Sequence, residues 1–287
     1  MVGRVFCCEE EAVRRGFGGW ECARRREVLR ETIAAFERAE PGDRYHRLAK
    51  SNLDRWRAEQ PAPKPGFRIE VYPDDWGTVT AELTRRYGTC FAVLNMANAY
   101  KPGGAYVEGA IAQEENMFRR TDCHFRIGDQ EMDRETGRYR PEMTRLLTAQ
   151  DGAVYLDVEH PRVCIRGPED RQRADLGYPW LVDEDVFPFF ELRAAAQDLR
   201  GGIPFSPQEA RKRIAVQLDT LQAAGLRHAV LSAFGCGAFQ NPAEQVAEIY
   251  GDEIALRREA FDVIAFAVYW AGYGRDNFTP FQSLRNV

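Results

Sequence analysis

Gly103-Gly104-Ala105 is followed, seven residues later, by Gln113-Glu114-Glu115. Glycine lets a backbone approach a phosphate closely, and a helix that follows offers free N–H groups and the positive end of its dipole. Carboxylates repel phosphate, so a site holding both is suited to acid–base chemistry beside a bound diphosphate. A second glycine-rich turn runs Gly235-Cys236-Gly237-Ala238-Phe239-Gln240-Asn241-Pro242. It too leads from an apolar stretch toward a helix, and two such turns facing each other would cradle a diphosphate. Neither matches G-x-G-x-x-G or G-x-x-x-x-G-K-[ST], which argues against a dinucleotide-binding Rossmann site and a P-loop ATPase. One glycine pair after a strand is an ordinary tight turn; the repetition is what suggests a site. Adjacent helical residues point about 100° apart. Glu114 and Glu115 therefore cannot share one job: one can face a ligand while the other bonds backbone amides or solvent.

The elements that must position these groups alternate along the chain. Strand-length apolar runs occupy 67–72, 90–98, 228–234 and 261–269, with shorter ones at 153–158 and 162–166. Helical patterns fill 76–87, 206–225 and 241–256, and a last helix is expected after Asn277. The run 186–192 contains Pro188 and should lie at an edge or be irregular. Such alternation gives an α/β layered sheet with helices on both faces. The near-continuous apolar runs at 90–98 and 261–269 are expected to be buried on both sides. Both glycine turns then fall at the carboxyl ends of strands, where open α/β sheets bind ligands. Residues 21–39 form a helix with an apolar stripe of Val28, Leu29, Ile33, Ala34 and Phe36. The proline-rich stretch from Gln60 to Gly66 ends the helical segment before it. The expected organisation is a helical N-terminal extension over 1–66 packed on the core, then the main domain over 67–287. Residues 126–150 are polar and charged and read as a loop or insertion leaving the sheet.

Composition excludes several classes. The 287 residues are 44% hydrophobic and carry a net charge of −5, so no broad basic surface for duplex nucleic acid is expected. The first residues, MVGRVFCCEEEAVRR, are acidic and lack the apolar core of a signal peptide. No apolar run approaches the ~20 residues that cross a bilayer. Seven cysteines without a CxxC read as reduced thiols in a cytoplasmic protein, the Cys7-Cys8 pair inert. Four histidines at irregular spacing give no metal site.

Gly103-Gly104-Ala105 and Gln113-Glu114-Glu115 resemble the GGG-x(6–8)-QEE signature of poly(ADP-ribose) glycohydrolases. The surroundings resemble the bacterial type. They comprise NxANxxxPGG from Asn95 to Gly104, GAxAQEE from Gly109 to Glu115, and Arg119-Arg120-Thr121. LSAFGCGAFxNP from Leu231 to Pro242, RRREVLRET over 24–32, and Asn277-Phe278 also fit.

The resemblance implies a macrodomain: a three-layer α/β/α fold with a mixed, roughly six-stranded sheet, preceded by the helical extension. It implies ADP-ribose as ligand and exo-type hydrolysis of the ribose–ribose O-glycosidic bond, releasing ADP-ribose. Glu115 would be the general acid/base, with Glu114 on the ribose hydroxyls. Asn98 would hold the distal ribose, and Gln113 joins the substrate-binding set. Gly103, Gly104 and Ala105 would lie over the diphosphate, with Gly235, Cys236, Gly237 and Ala238 as backbone donors on its other side. Phe239 would pack beside the distal ribose and Phe278 would stack on adenine.

No metal or dissociable cofactor is implied. The partner would be the ADP-ribose polymer or an ADP-ribosylated macromolecule, met by a monomer, with no duplex nucleic acid and no membrane. A hydrolase of another ADP-ribosyl linkage, on protein or nucleic acid, and a non-catalytic ADP-ribose reader are the alternatives. Ala105 stands where the triplet has its third glycine: at positive φ it would be strained, while at negative φ its methyl would only narrow the gap to the phosphate. A glutamate in a helix's first turn should have its pKa lowered by the dipole, and a bound diphosphate would be what raises it.

Overall fold

The computed structural model describes residues 19–39, 43–59, 66–270 and 275–286. The N-terminal stretch with Cys7-Cys8, and residues 60–65 of the proline-rich boundary, lie outside the described residues. The described residues begin with two helices, α1 (Gly19–Ala39) and α2 (Arg44–Glu59). Then follow β1 (Arg68–Tyr72), α3 (Trp76–Tyr87), β2 (Ala92–Met96) and α4 (Gln113–Arg120). A hairpin of β3 (Met132–Asp133) and β4 (Arg138–Tyr139) leads to α5 (Pro141–Leu147), β5 (Tyr155–Cys164) and β6 (Phe187–Ala194). The rest is α6 (Pro207–Ala223), β7 (His228–Leu231), α7 (Ala243–Ala255), β8 (Val263–Ala267) and α8 (Phe278–Gln282).

Six of the described strands form one sheet in the order β1-β8-β7-β2-β6-β5. All neighbours run parallel except β5, which is antiparallel to β6. Period-two alternation divides the core between the two faces. On one face Leu94, Leu192, Leu231 and Phe266 pack with Ile214 and Leu218 of α6, Tyr250 of α7 and Phe281 of α8. On the other, Val93, Phe189, Val230 and Ala265 pack with Leu29 of α1, Trp56 of α2, Leu83 of α3 and Phe118 of α4. This is the expected three-layer α/β/α arrangement with a mixed six-stranded sheet. The apolar runs of β2 and β8 are covered on both sides because each lies inside the sheet with helices above and below.

Local chemistry sets the element ends. The Asp75 carboxylate accepts from the Gly77 and Thr78 amides at the start of α3, and Gly88 at φ 58° closes it. The Ser206 hydroxyl accepts from Glu209 N, with Pro207 in the first turn of α6.

Three regions differ from expectation. The runs 153–158 and 162–166 are one strand, β5, with a register shift between Asp157 and Arg162. The strand containing Pro188 is not at an edge: β6 lies between β2 and β5. Pro188 is tolerated because it is the second residue of β6, and pairing with β2 begins only at Phe190. Residues 126–150 leave the sheet, as one of the two readings had it, but not as a loop. They form the hairpin and α5, which bury Tyr139, Met143 and Leu147 with Ala99 and Ala195. Tyr139 N donates to Tyr100 O at 2.9 Å and Thr144 Oγ1 to Ala99 O at 2.8 Å, docking this segment against the turn that leaves β2. No helix among the described residues is long and apolar enough to cross a membrane.

Candidate active site

Loop 1, residues 97–109, leaves the carboxyl end of β2, and loop 2, residues 232–241, leaves that of β7, the next strand over. Together with the chain beyond β8 they enclose a cavity of about 880 Å³. That volume suits a ligand the size of a dinucleotide fragment. Every residue expected at the site borders the cavity except Gly103. Gly103 lies behind the wall, where a side chain would run into Tyr106 and Phe118.

The first turn of α4 gives its three leading residues three jobs. Gln113 is committed to β2: its Oε1 accepts from Met96 N at 2.9 Å and its Nε2 donates to Leu94 O at 2.8 Å. That clamp fixes the start of α4 to the strand end. Glu114 holds loop 1, accepting from Asn98 N at 2.7 Å and from Gly103 N at 3.1 Å. Glu115 accepts from Ala105 N at 3.0 Å through Oε1, while its buried Oε2 has no partner. Both glutamates are buried, at 3% and 8% exposure, so neither is spent on solvent.

Loop 1 turns its amides inward. Besides the three bonds to carboxylates, Gly104 N donates to Lys101 O at 2.9 Å. Gly103 and Gly104 sit at φ 69° and 60°. A Cβ on Gly104 would stand 2.4 Å from Glu115 Oε1, so glycine here makes room for a carboxylate. Ala105 has φ −107°, an ordinary value for alanine, so the missing third glycine leaves no strain. The Asn98 side chain accepts from Tyr100 N and Lys101 N, both at 2.9 Å, an Asx turn that shapes the loop.

Burial pushes both carboxyls up, and for Glu114 the neighbouring Glu115 charge adds to it. The Asn98 amide and Arg193 pull Glu114 back down, and the Ala105 amide and Arg119 do so for Glu115. A helix dipole contributes only about 0.3–1 kcal/mol. Removing a carboxylate from water costs several kcal/mol, so burial wins. The raised state expected of a bound diphosphate thus exists before any ligand arrives. The two carboxyls titrate as a coupled pair. Both oxygens of Glu114 already receive N–H donors, which favours its ionised form. Burial and the neighbouring charge push Glu114 the harder of the two. Glu115 Oε2, however, is the one carboxyl oxygen of the pair that receives no N–H donor, and that geometry favours it as the seat of the shared proton.

Loop 2 has the opposite character. Gly235 at φ 75° packs against Ala196 and Asn241. The Asn241 amide ties the loop together by donating to Gln197 O at 2.8 Å and Gly235 O at 3.0 Å. The amides of Gly237, Ala238 and Phe239 donate to no described protein acceptor, and Gly237 and Ala238 are exposed at the cavity. Burial pushes the Cys236 thiol far above its ordinary value, which makes it a packing residue and no nucleophile. Phe239 and Phe278 are half-buried on the cavity wall. Among the described residues no group of His, Cys, Asp or Glu could hold a metal ion.

Several cavity residues were not foreseen. Tyr269 and Trp270, 50% and 58% exposed, follow β8. An aromatic pair directly after a buried parallel strand was the available signal. Arg25 of α1 also reaches the wall, paired with Glu169 at 2.6 Å and Glu21 at 2.9 Å. It lies within the RRREVLRET stretch already noted, but nothing there singles it out as a cavity residue.

Residues 23–150 match the family model of the microbial-type PARG catalytic domain, PARG being poly(ADP-ribose) glycohydrolase. That match contains loop 1 and both glutamates. Among solved structures, the enzyme of that name from Thermomonospora curvata superposes with TM-score 0.62 at 23% identity, covering 91% of this chain and 98% of that one. Its structure bound to the inhibitor ADP-HPD gives 0.61 at 24%, covering 90% and 98%. The Deinococcus radiodurans enzyme in complex with ADP-ribose gives 0.55 at 20%, covering 84% and 90%. At such identity these likenesses establish the fold. Among curated proteins no relative matches by sequence.

Proposed function

We propose that this chain, whose residues 23–150 match the model of the microbial-type PARG catalytic domain, is a poly(ADP-ribose) glycohydrolase that releases ADP-ribose from polymer ends. The observation that carries the reading is the state of Glu115: buried, raised in pKa, one oxygen tied to Ala105 N and the other unpartnered in a residue on the cavity wall. Cleaving the ribose–ribose bond passes through an oxocarbenium-like state and needs a proton on the departing hydroxyl. Glu115 supplies that proton, and the carboxylate it becomes then takes one from the attacking water. Glu114 holds loop 1 and orients the ribose hydroxyls. Asn98 sits beside the distal ribose, with Phe239 packing against it.

The unengaged amides of loop 2 receive the diphosphate, and Phe278 stacks on adenine. The ADP-ribose and ADP-HPD complexes of the structural neighbours support this ligand. A reader protein would not need a buried carboxyl with an open oxygen. Ala105, unstrained at φ −107°, lends no support to a different linkage. The five described cysteines are free thiols, which supports a cytoplasmic protein, and we take it as a monomer. The extension over 1–66 and catalytic domain over 67–287 belong to the same proposal, with Cys22 and Arg25 of the extension on the cavity wall.

The test is calorimetric titration of ADP-ribose into wild type and Glu115→Gln, with ADP-ribose release from poly(ADP-ribose) assayed alongside. Both proteins should bind, and turnover should fall by about 10²–10⁴-fold in the variant, the range of general acid–base catalysis. Binding without turnover in wild type would redirect the reading to another ADP-ribosyl linkage.

A further inference from the structure

Loop 1 lines the reacting end of the cavity, yet the amides of Gly103, Gly104 and Ala105 all donate within the protein. Its one cation is Lys101, and Lys101 borders the cavity. Its ammonium sits 2.5 Å from Glu108 Oε1, seven residues further along the loop. The pair is asymmetric. The Lys101 side chain is 43% exposed and Glu108 21%, Glu108 is not on the cavity wall, and Glu108 Oε2 is buried without a partner. Glu108 is anchored on its other side, where its carbonyl accepts from Arg26 of α1 at 3.3 Å. So Glu108 is held at its backbone and the less exposed of the two, while Lys101 carries its charge on a four-carbon stem that can turn toward the cavity.

We propose that Lys101 and Glu108 form an exchangeable latch on loop 1. When an anionic ligand enters, the Lys101 ammonium is transferred from Glu108 to a phosphate oxygen, supplying the anion contact that the loop's own amides cannot give. This rests on the ADP-ribose reading of the cavity and makes Lys101 a specificity residue for the diphosphate. Glu108 competes with the ligand for the same cation. Its removal should therefore strengthen binding, whereas removal of Lys101 should weaken it.

That opposition of sign is the test. ADP-ribose, and adenosine as an uncharged probe, are titrated calorimetrically into the full chain as wild type, Lys101→Met, Lys101→Arg and Glu108→Gln, at low and high salt. Lys101→Met should weaken ADP-ribose binding about tenfold, the scale of one charge-assisted hydrogen bond at a partly exposed site. Adenosine binding should stay unchanged, and Lys101→Arg should restore most of the loss. Glu108→Gln should tighten ADP-ribose about threefold, with the gain vanishing at high salt. Weaker binding in both Lys101→Met and Glu108→Gln would make the pair a structural tie and overturn the latch. So would unchanged affinity in Lys101→Met. Failure of wild type to bind ADP-ribose would overturn the functional reading itself, and the latch with it.

Discussion

Loops 1 and 2 leave neighbouring strands of one sheet, and each carries glycine held at positive φ. Their amides nevertheless do opposite things. In loop 1 the N–H groups of Asn98, Gly103 and Ala105 converge on two carboxylates. In loop 2 those of Gly237, Ala238 and Phe239 are left to the cavity. A glycine-rich turn after a strand thus encodes close approach and leaves open what approaches. In loop 1 the approaching groups are the protein's own two buried carboxylates. In loop 2 the amides face the open cavity. The division has a physical logic: amides already spent on buried carboxylates cannot also receive an anion from outside.

The largest break in this comparison should come from Gly104→Ala. Its Cβ would meet Glu115 Oε1 at 2.4 Å, at a φ of 60° that costs an L-residue about 1–2 kcal/mol. Displacing the carboxyl by about 1 Å should lower ADP-ribose release some 100-fold, while ADP-ribose affinity falls far less. If calorimetry showed affinity falling as steeply as turnover, loop 1 would be the phosphate cradle after all.

A smaller effect separates two glycines within loop 2. In Gly235→Ala the new methyl would stand 2.4 Å from Ala196 Cβ and 2.6 Å from Asn241 Nδ2. It should destabilise by about 1–3 kcal/mol, as overpacking does. A Cβ on Gly237 meets nothing within 4 Å. Gly237→Ala should leave Tm unchanged yet weaken ADP-ribose about tenfold, the equivalent of one hydrogen bond to a charged group. An unchanged Kd for Gly237→Ala would place the diphosphate elsewhere in the cavity.

What the sequence could show, and what it could not, follows the range of the interactions. The ends of α3 and α6 were legible because Asp75, Gly88, Ser206 and Pro207 act within one turn of themselves. The placing of both glycine loops at strand ends was legible for the same reason. The ordered structure of 126–150 was not, because its few apolar residues, Tyr139, Met143 and Leu147, are buried by partners far along the chain. Pro188 misled because whether a strand is interior depends on where its neighbour's pairing begins. The protonation logic of the site was also hidden. Sequence shows a glutamate near a helix start and suggests a lowered pKa. Burial by the sheet, loop 1 and α1 reverses that, and burial is a property of the assembled fold.

The two glutamates offer the finest test of the comparison, through stability against pH. Burial raises the pair's folded pKa above the unfolded value. Its contribution to stability is then fully present below the ordinary carboxylate range and is lost as pH rises through the raised folded value. Glutamine does not ionise. Glu115→Gln keeps an oxygen for Ala105 N, so its Tm relative to wild type should climb between pH 4 and pH 8. Every tenfold gain in proton affinity on folding is worth about 1.4 kcal/mol, and a chain of this size gains about 2–4 °C per kcal/mol. Glu114→Gln should behave differently. A carboxamide has only one oxygen, so the Asn98 and Gly103 amides could not both keep an acceptor, and the variant should lose stability across the whole pH range. Parallel Tm–pH curves for the two variants would mean that the proton is not confined to Glu115. The division between a glutamate that holds loop 1 and one that gives up a proton would then dissolve.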